Sequence, residues 1–260
     1  GATKCTKRDD FFRINTQGTQ HFANAILSLN MPVERFIFVS SLSVYGAIHE
    51  QLPYKDIEEN DTPRPNTAYG ESKLQAEKVL ANSSYNGKTL PYVILLPTGV
   101  YGPREKDYFL MAKSIKGHTD FSVGFQRQDI TFVYVKDLVQ AVFLAIDKGK
   151  TGRAYFLTDG KVYQSTTFSN LIHAELGKPW WIRIKAPIAF LRIVTFFGDI
   201  FGRVTGKLSP LNNDKYQILK QRNWRCNIQP TIDELGYRPE YDLERGVKET
   251  MDWYKENNWI

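Results

Sequence analysis

Tyr69 and Lys73 stand four residues apart in the segment AYGESKLQAEKVL, a spacing that puts both side chains on one face of a helix. A lysine ammonium beside a phenol favours the phenolate and lowers a pKa that starts near about 10. A tyrosine tuned in this way can exchange a proton with an alcohol or ketone oxygen while hydride passes to or from a nicotinamide. The spacing alone is weak: Tyr216 and Lys220 share it, with nothing around them that suggests catalysis. Such a pair is ordinarily a solvated helix face. Context separates the first pair from the second. Upstream, the apolar run RFIFVS ends in SSLSVYG, where the Ser41 hydroxyl could hydrogen-bond a reacting oxygen and orient it towards Tyr69. A serine-rich turn after a strand is common in any fold, so the order of the features counts for more than any one of them. A second apolar run, YVILL, leaves through PTGVYGPR, again a loop beyond the end of a buried strand.

These residues need elements to hold them. Three apolar runs read as strands: residues 35–40, 92–96 and 154–157. The first two are continuous rather than alternating, as expected where a parallel sheet is covered on both faces. Helical periods lie between them, over residues 11–29, 67–81 and 136–148, the first stopping at Asn30, Met31 and Pro32. Alternating strands and helices argue for an α/β fold with a doubly wound sheet, whose ligands bind beyond the carboxyl ends of the strands, where both loops fall. After Gly160 the character changes: helices are expected at 166–176, 186–204 and 243–257. The expected organisation is a Rossmann-like, dinucleotide-binding part over residues 1–160 and a smaller, mainly helical substrate lobe over 161–260, interleaved with it.

The serine turn, YGESK, PTGVYGPRE and the later TFVYVKDLVQA occur in the order typical of extended short-chain dehydrogenases/reductases, the NAD-dependent epimerase/dehydratase family, which this chain resembles over nearly its whole length. The RINTQGT segment at 13–19 and the closing ELGYRPEYDLERGVKETMDWYKEN are similar to that family as well. The resemblance implies an NAD- or NADP-dependent oxidoreductase or epimerase acting on a secondary alcohol or ketone. Tyr69 would be the acid/base, Lys73 would bind the nicotinamide ribose and tune Tyr69, and Ser41 would orient the substrate. Pro97, Thr98 and Gly99 would line the nicotinamide, Asn15 would hold the cofactor-side loop, and Ser43, Arg104 and Arg127 are candidates for substrate contact.

The sequence departs from the family in three places. No strand and Gly-rich turn precedes Phe11, although backbone N–H groups of such a turn hold the pyrophosphate. Two βαβ units of about 30 residues each put roughly 60–80 residues of the dinucleotide-binding part outside this chain. This chain by itself is therefore expected to bind dinucleotide weakly. An uncovered sheet edge is also expected to favour association, leaving a homodimer open. Sugar dehydratases of the family carry Asp-Glu where Leu42 and Ser43 stand, which argues against elimination of water. Nucleotide-sugar members place Asn and Arg, partners of a diphosphate, where Gly99 and Ile130 stand. A less charged ligand of the sterol or flavonol kind therefore fits better than a nucleotide sugar, which stays as the alternative. A non-catalytic, nucleotide-binding scaffold or sensor is the third reading.

Composition narrows the rest. The 260 residues carry a formal charge of +6, a balance that suits anionic cofactors, and the chain has no Lys/Arg run or zinc pattern pointing to nucleic acid. Two cysteines, Cys5 and Cys226, lie far apart and make neither a disulfide framework nor a metal site, in keeping with a reducing, cytoplasmic setting. The long apolar stretch at 186–204 is interrupted by Arg192, Asp199 and Arg203, at i, i+7 and i+11. That makes one polar stripe on a helix, which disfavours a transmembrane span and leaves a buried lobe helix or peripheral membrane contact.

Overall fold

A computed structural model describes the backbone of residues 1–205 and 212–260, with side chains except at 199 and 201–205. The strands that matter here are β1 (Phe36–Val39), β2 (Tyr92–Pro97), β3 (Gly99–Tyr101), β4 (Thr119–Val123), β5 (Phe132–Tyr134), β6 (Ala154–Leu157) and β7 (Ile182–Ala186). The helices are α1 (Gly18–Ser28), α2 (Ala68–Asn82), α3 (Lys106–Lys116), α4 (Val135–Lys148), α5 (Thr167–Glu175), α6 (Ile188–Thr205), α7 (Asn213–Lys220), α8 (Gln229–Leu235) and α9 (Leu243–Glu256).

The central sheet is parallel in the order β1-β2-β6, with Phe36 opposite Tyr92 and Ile94 opposite Ala154. This is the expected α/β, Rossmann-like architecture. All three expected strands are present within a residue or two. β2 runs through the middle, and Val93, Ile94, Leu95 and Leu96 are all buried, which explains a run with no polar alternation. Among the described strands β1 pairs only with β2.

Two apolar cores form, and each draws on both halves of the chain. The first gathers β1, β2 and β6 with α2 and α4, and takes Ile228, Leu235 and Tyr237 from beyond residue 160. The second is built on Phe168, Leu243, Val247, Met251 and Tyr254 and takes Tyr101, Ala112, Phe132 and Tyr134 from before it. Gly246 permits this closure: a Cβ there would lie 2.1 Å from the Tyr101 hydroxyl oxygen.

Local departures from the expected elements have local causes. The helix read over 11–29 is broken into a turn at Arg8–Phe11, a six-residue π-turn at Phe12–Gln17 and then α1. A wide turn of this kind re-aims side chains, and here it buries Asn15. Residues 182–186, which end where the expected lobe helix at 186–204 begins, form β7 and pair in parallel with β4, Ile184 opposite Phe121. The alternation Ile182, Arg183, Ile184, Lys185 is a period of two, and it ends where Pro187 starts α6. Arg192 is exposed on α6, while the side chains of Asp199 and Arg203 lie outside the described residues. No described helix is long and apolar enough to cross a membrane.

Candidate active site

The site is assembled where β1 ends. Ser41 caps the short 3-10 turn Leu42–Val44: its Oγ accepts from the Ser43 N–H at 3.2 Å and donates to the Ser43 hydroxyl at 3.1 Å. Helix α2 starts opposite this turn. Thr67 Oγ1 accepts from the Gly70 N–H at 3.0 Å, and the Asp214 carboxylate accepts from the Ala68 N–H at 3.1 Å. Both satisfy donors that an open helix end would leave unpaired. The residue after Tyr69 has to be glycine. A Cβ on Gly70 would lie 2.4 Å from the backbone oxygen of Ser43, so only a bare Cα lets the helix approach the serine turn this closely. That approach brings the Tyr69 hydroxyl close enough to Ser41 for the serine to favour the phenolate.

Lys73, one turn further along, is buried, donates from Nζ to the Val39 carbonyl at 2.8 Å and sits 4.7 Å from the Phe38 ring centroid. Burial holds its pKa below the ordinary value, against the opposing pull of Glu77. The sequence reading expected the ammonium to lower the Tyr69 pKa; the structure gives the opposite direction. Burial pushes the phenol above 10 and outweighs the opposing influence of Ser41; the ring is packed edge-on against Phe11 at 6.3 Å, and a phenolate there would lose water. The Tyr216–Lys220 pair is different in kind: Tyr216 is buried and the Lys220 ammonium lies over the Tyr216 ring, 5.3 Å from its centroid.

Asn15 ties the start of the chain to this helix. Its Oδ1 accepts from the Ala2 N–H at 2.7 Å, and its Nδ2 donates to the Ala2 carbonyl and the Ser72 hydroxyl, both at 3.0 Å. The backbone of residue 1 is thereby held beside Lys73: a Cβ on Gly1 would stand 3.2 Å from Lys73 Nζ.

A cavity of about 470 Å³ opens from the serine turn. Ser41, Ser43, Pro97, Thr98 and Gly99 line it, so five of the residues singled out in the sequence meet at one place. Arg104 and Arg127 do not line it. Arg104 is exposed at a positive φ of 70°, and Arg127 is turned onto Asp129 through two bonds of 2.7 and 3.0 Å. The rest of the lining is mostly apolar, including Leu42, Val100, Met111, Ile130, Phe132, Phe168 and Trp224. Its charges are spoken for. Asp120 pairs with Arg183 at 2.7 Å, Lys215 pairs with Asp107 at 3.2 Å, and Glu105 caps the Tyr108 N–H at 2.7 Å. Lys215 is the one cation among the described lining residues.

Sequence reasoning missed Glu77. It lies one turn beyond Lys73 on α2, accepts a hydrogen bond from the Ser40 hydroxyl, and is pushed up to about 7, first by burial, with Ser40 and Lys73 opposing. The signal was present, since Tyr69, Lys73 and Glu77 repeat every four residues and so share a face. Tyr108, Asp120 and Lys215 carried no such signal, because their presence in the cavity depends on α3, β4 and α7 folding over it.

The sequence profile of the NAD dependent epimerase/dehydratase family matches residues 2–157. The chain belongs to that family. Among its relatives, the dTDP-D-glucose 4,6-dehydratase of Mus musculus is 27% identical over 258 residues, covering 96% of this chain and 64% of that protein. The sterol-4-alpha-carboxylate 3-dehydrogenase erg26, decarboxylating, of Schizosaccharomyces pombe is also 27% identical, over 95% of this chain and 73% of that protein. The crystal structure of dTDP-glucose 4,6-dehydratase (rfbB) from Bacillus anthracis str. Ames in complex with NAD shares the fold. It matches with a TM-score of 0.73 at 20% identity, over 97% of this chain and 71% of that one. This family member thus spans between 64% and 73% of the length of those three proteins. The region matched to the family, 2–157, contains Asn15, Ser41, Tyr69, Lys73, Pro97, Thr98 and Gly99.

Proposed function

We propose that this chain supplies the acid/base and substrate-binding part of an NAD(P)-dependent oxidoreductase or epimerase acting on a secondary alcohol or ketone. The observation that carries the reading is the placing of Tyr69 beside Ser41, which lines the cavity, with Lys73 one helical turn further along α2. Ser41 would hold the substrate oxygen, and Tyr69 would give or take its proton. The cradle formed by Asn15, the backbone of residues 1 and 2 and Lys73 suits the ribose end of a nicotinamide nucleotide. Val39 takes one hydrogen of the Lys73 ammonium, which leaves two for ribose hydroxyls. Pro97, Thr98 and Gly99 would face the ring. NAD or NADP, when bound, supplies the hydride exchange.

The lining favours a largely apolar substrate over a nucleotide sugar. A diphosphate entering this cavity would meet Glu105, Asp107 and Asp120, with Lys215 already paired, and would lack a bidentate partner. Tyr69→Phe in the gene product that contains this chain should lower turnover of apolar secondary alcohols by about 10²–10⁴-fold, the usual worth of a general acid/base. Cofactor binding measured by nicotinamide fluorescence should persist. Unchanged turnover would overturn the assignment, and turnover of UDP- or dTDP-hexoses in preference to apolar alcohols would overturn the substrate class. The chain by itself lacks a Gly-rich strand–turn–helix and is proposed to bind dinucleotide weakly; tight binding by calorimetry would refute that.

A further inference from the structure

The geometry points to a lipid surface as the partner of the α6 edge: we infer that β4, β7 and α6 together dock this protein on an anionic bilayer. On α6, Phe190, Ile193, Phe196, Phe197 and Ile200 are between 42% and 63% exposed. Their spacing, i, i+3, i+6, i+7 and i+10, places them in a single stripe. The opposite side of the helix carries Leu191 and Thr195, both buried. Apolar exposure recurs on the β4–β7 pair, whose second strand leads directly into α6. Ile184 lies opposite Phe121, and Ile182 is two residues back on the same sheet face; all three are exposed, Phe121 at 63%. Trp180, 69% exposed and stacked on His118 at 4.1 Å, stands at the start of this edge. A one-sided stripe of five exposed large apolar side chains on α6 marks an interaction surface rather than scattered surface hydrophobes.

Charge decides what that surface meets. Between residues 176 and 210 the sequence has six Lys or Arg and one Asp, so this segment holds nearly all of the chain's formal +6. Among the described side chains, Lys178, Lys185 and Arg192 are exposed and pair with no described carboxylate; Lys178 and Arg192 lie beside the patch in the chain, while Lys185 alternates with Ile184 and projects from the other face of β7. Arg183 is the exception, held by Asp120. A helix with an apolar stripe and basic residues beside it, next to an exposed tryptophan, has the composition of an element lying in the headgroup region of an anionic bilayer. A soluble protein partner of acidic character is a less economical fit, because it would have to bury five large apolar side chains and the sheet face together. The cavity adjoins the same edge, since Phe121 and Val123 of β4 belong to its lining. Docked in this way, the protein would present the cavity mouth to the apolar phase. The docking itself does not depend on the proposed reaction.

The test is flotation of the full chain with vesicles of phosphatidylcholine alone and of phosphatidylcholine mixed with phosphatidylserine. Binding is expected to the mixed vesicles and to fall as salt rises, because the attraction is screened. The double variant Phe196→Ser/Phe197→Ser should bind at least about tenfold more weakly, given the apolar area it removes. Lys178→Glu with Arg192→Glu should lose the preference for phosphatidylserine. Both variants change exposed side chains, and their melting temperatures should match the parent. Failure of the parent chain to float with mixed vesicles overturns the proposal, as does equal binding by the double phenylalanine variant. Self-association that is abolished by Phe196→Ser/Phe197→Ser without any vesicle binding would also overturn it, in favour of a second copy on this face.

Discussion

Glu77 makes a quantitative test of how α2 is electrostatically organised. Its carboxyl is pushed from an ordinary 4.5 up to about 7, because burial penalises the charged form by more than Ser40 and Lys73 recover. A carboxyl whose folded pKa lies above its unfolded one holds more protons in the folded state between the two values. Stability therefore falls as pH rises from about 4.5 to about 7, and is flat on either side as far as this group is concerned. At 1.36 kcal/mol per pH unit, moving from 4.5 to about 7 corresponds to roughly 3 kcal/mol at most. Glu77→Gln removes the titration while keeping an oxygen to accept from Ser40. It also removes the charge that supports the buried Lys73 ammonium, which offsets part of the gain. The expected outcome is little difference from the parent at pH 5 and a stabilisation of about 1–2 kcal/mol at pH 8, in urea unfolding followed by tryptophan fluorescence. A variant that is equally stable or less stable at pH 8, with no change in the difference between the two pH values, would refute the view that Glu77 is buried at an energetic cost.

Three further outcomes follow from other close contacts and shifted groups. Gly70→Ala places a Cβ 2.4 Å from the Ser43 backbone oxygen; despite better helix propensity it should destabilise by about 1–3 kcal/mol. By moving Tyr69 away from Ser41 it should cut turnover by about 10²-fold, and turnover within a factor of two of the parent would contradict this. Because the Tyr69 phenol lies above 10 rather than below it, alcohol oxidation should climb steadily with pH across neutrality, while ketone reduction should hold level; a kcat/KM plateau in oxidation below pH 7 would argue against a buried phenol. Gly246→Ala drives a Cβ to 2.1 Å from the Tyr101 hydroxyl oxygen, which donates to the Asp242 carbonyl at 3.2 Å. It should lower the melting temperature, whereas exposed Ala substitutions such as Lys248→Ala should leave it nearly unchanged.

The sequence by itself determined the parallel core and the ingredients of the site. RFIFVS, YVILL and AYFL stood out as strands because they are short apolar runs bounded by turn residues, and β2 is buried from Val93 to Leu96 while β1 leaves Val39 exposed. Tyr69 and Lys73 had to share a face once α2 was helical, and SSLSVYG and PTGVYGPR had to emerge at strand ends. Tertiary structure decided what surrounds them. The direction of the Tyr69 pKa depends on how much of the ring Phe11 and the serine turn bury, and no spacing encodes that. Whether an arginine reaches the cavity depends on competing carboxylates, and Asp129 takes Arg127. The pairing of β7 with β4 depends on a partner about 60 residues away, so its alternating pattern alone did not mark it as a strand. Local sequence sets periodicity and which groups can meet along one element. Burial, and with it the charge state of every group in the site, is a property of what other parts of the chain bring alongside.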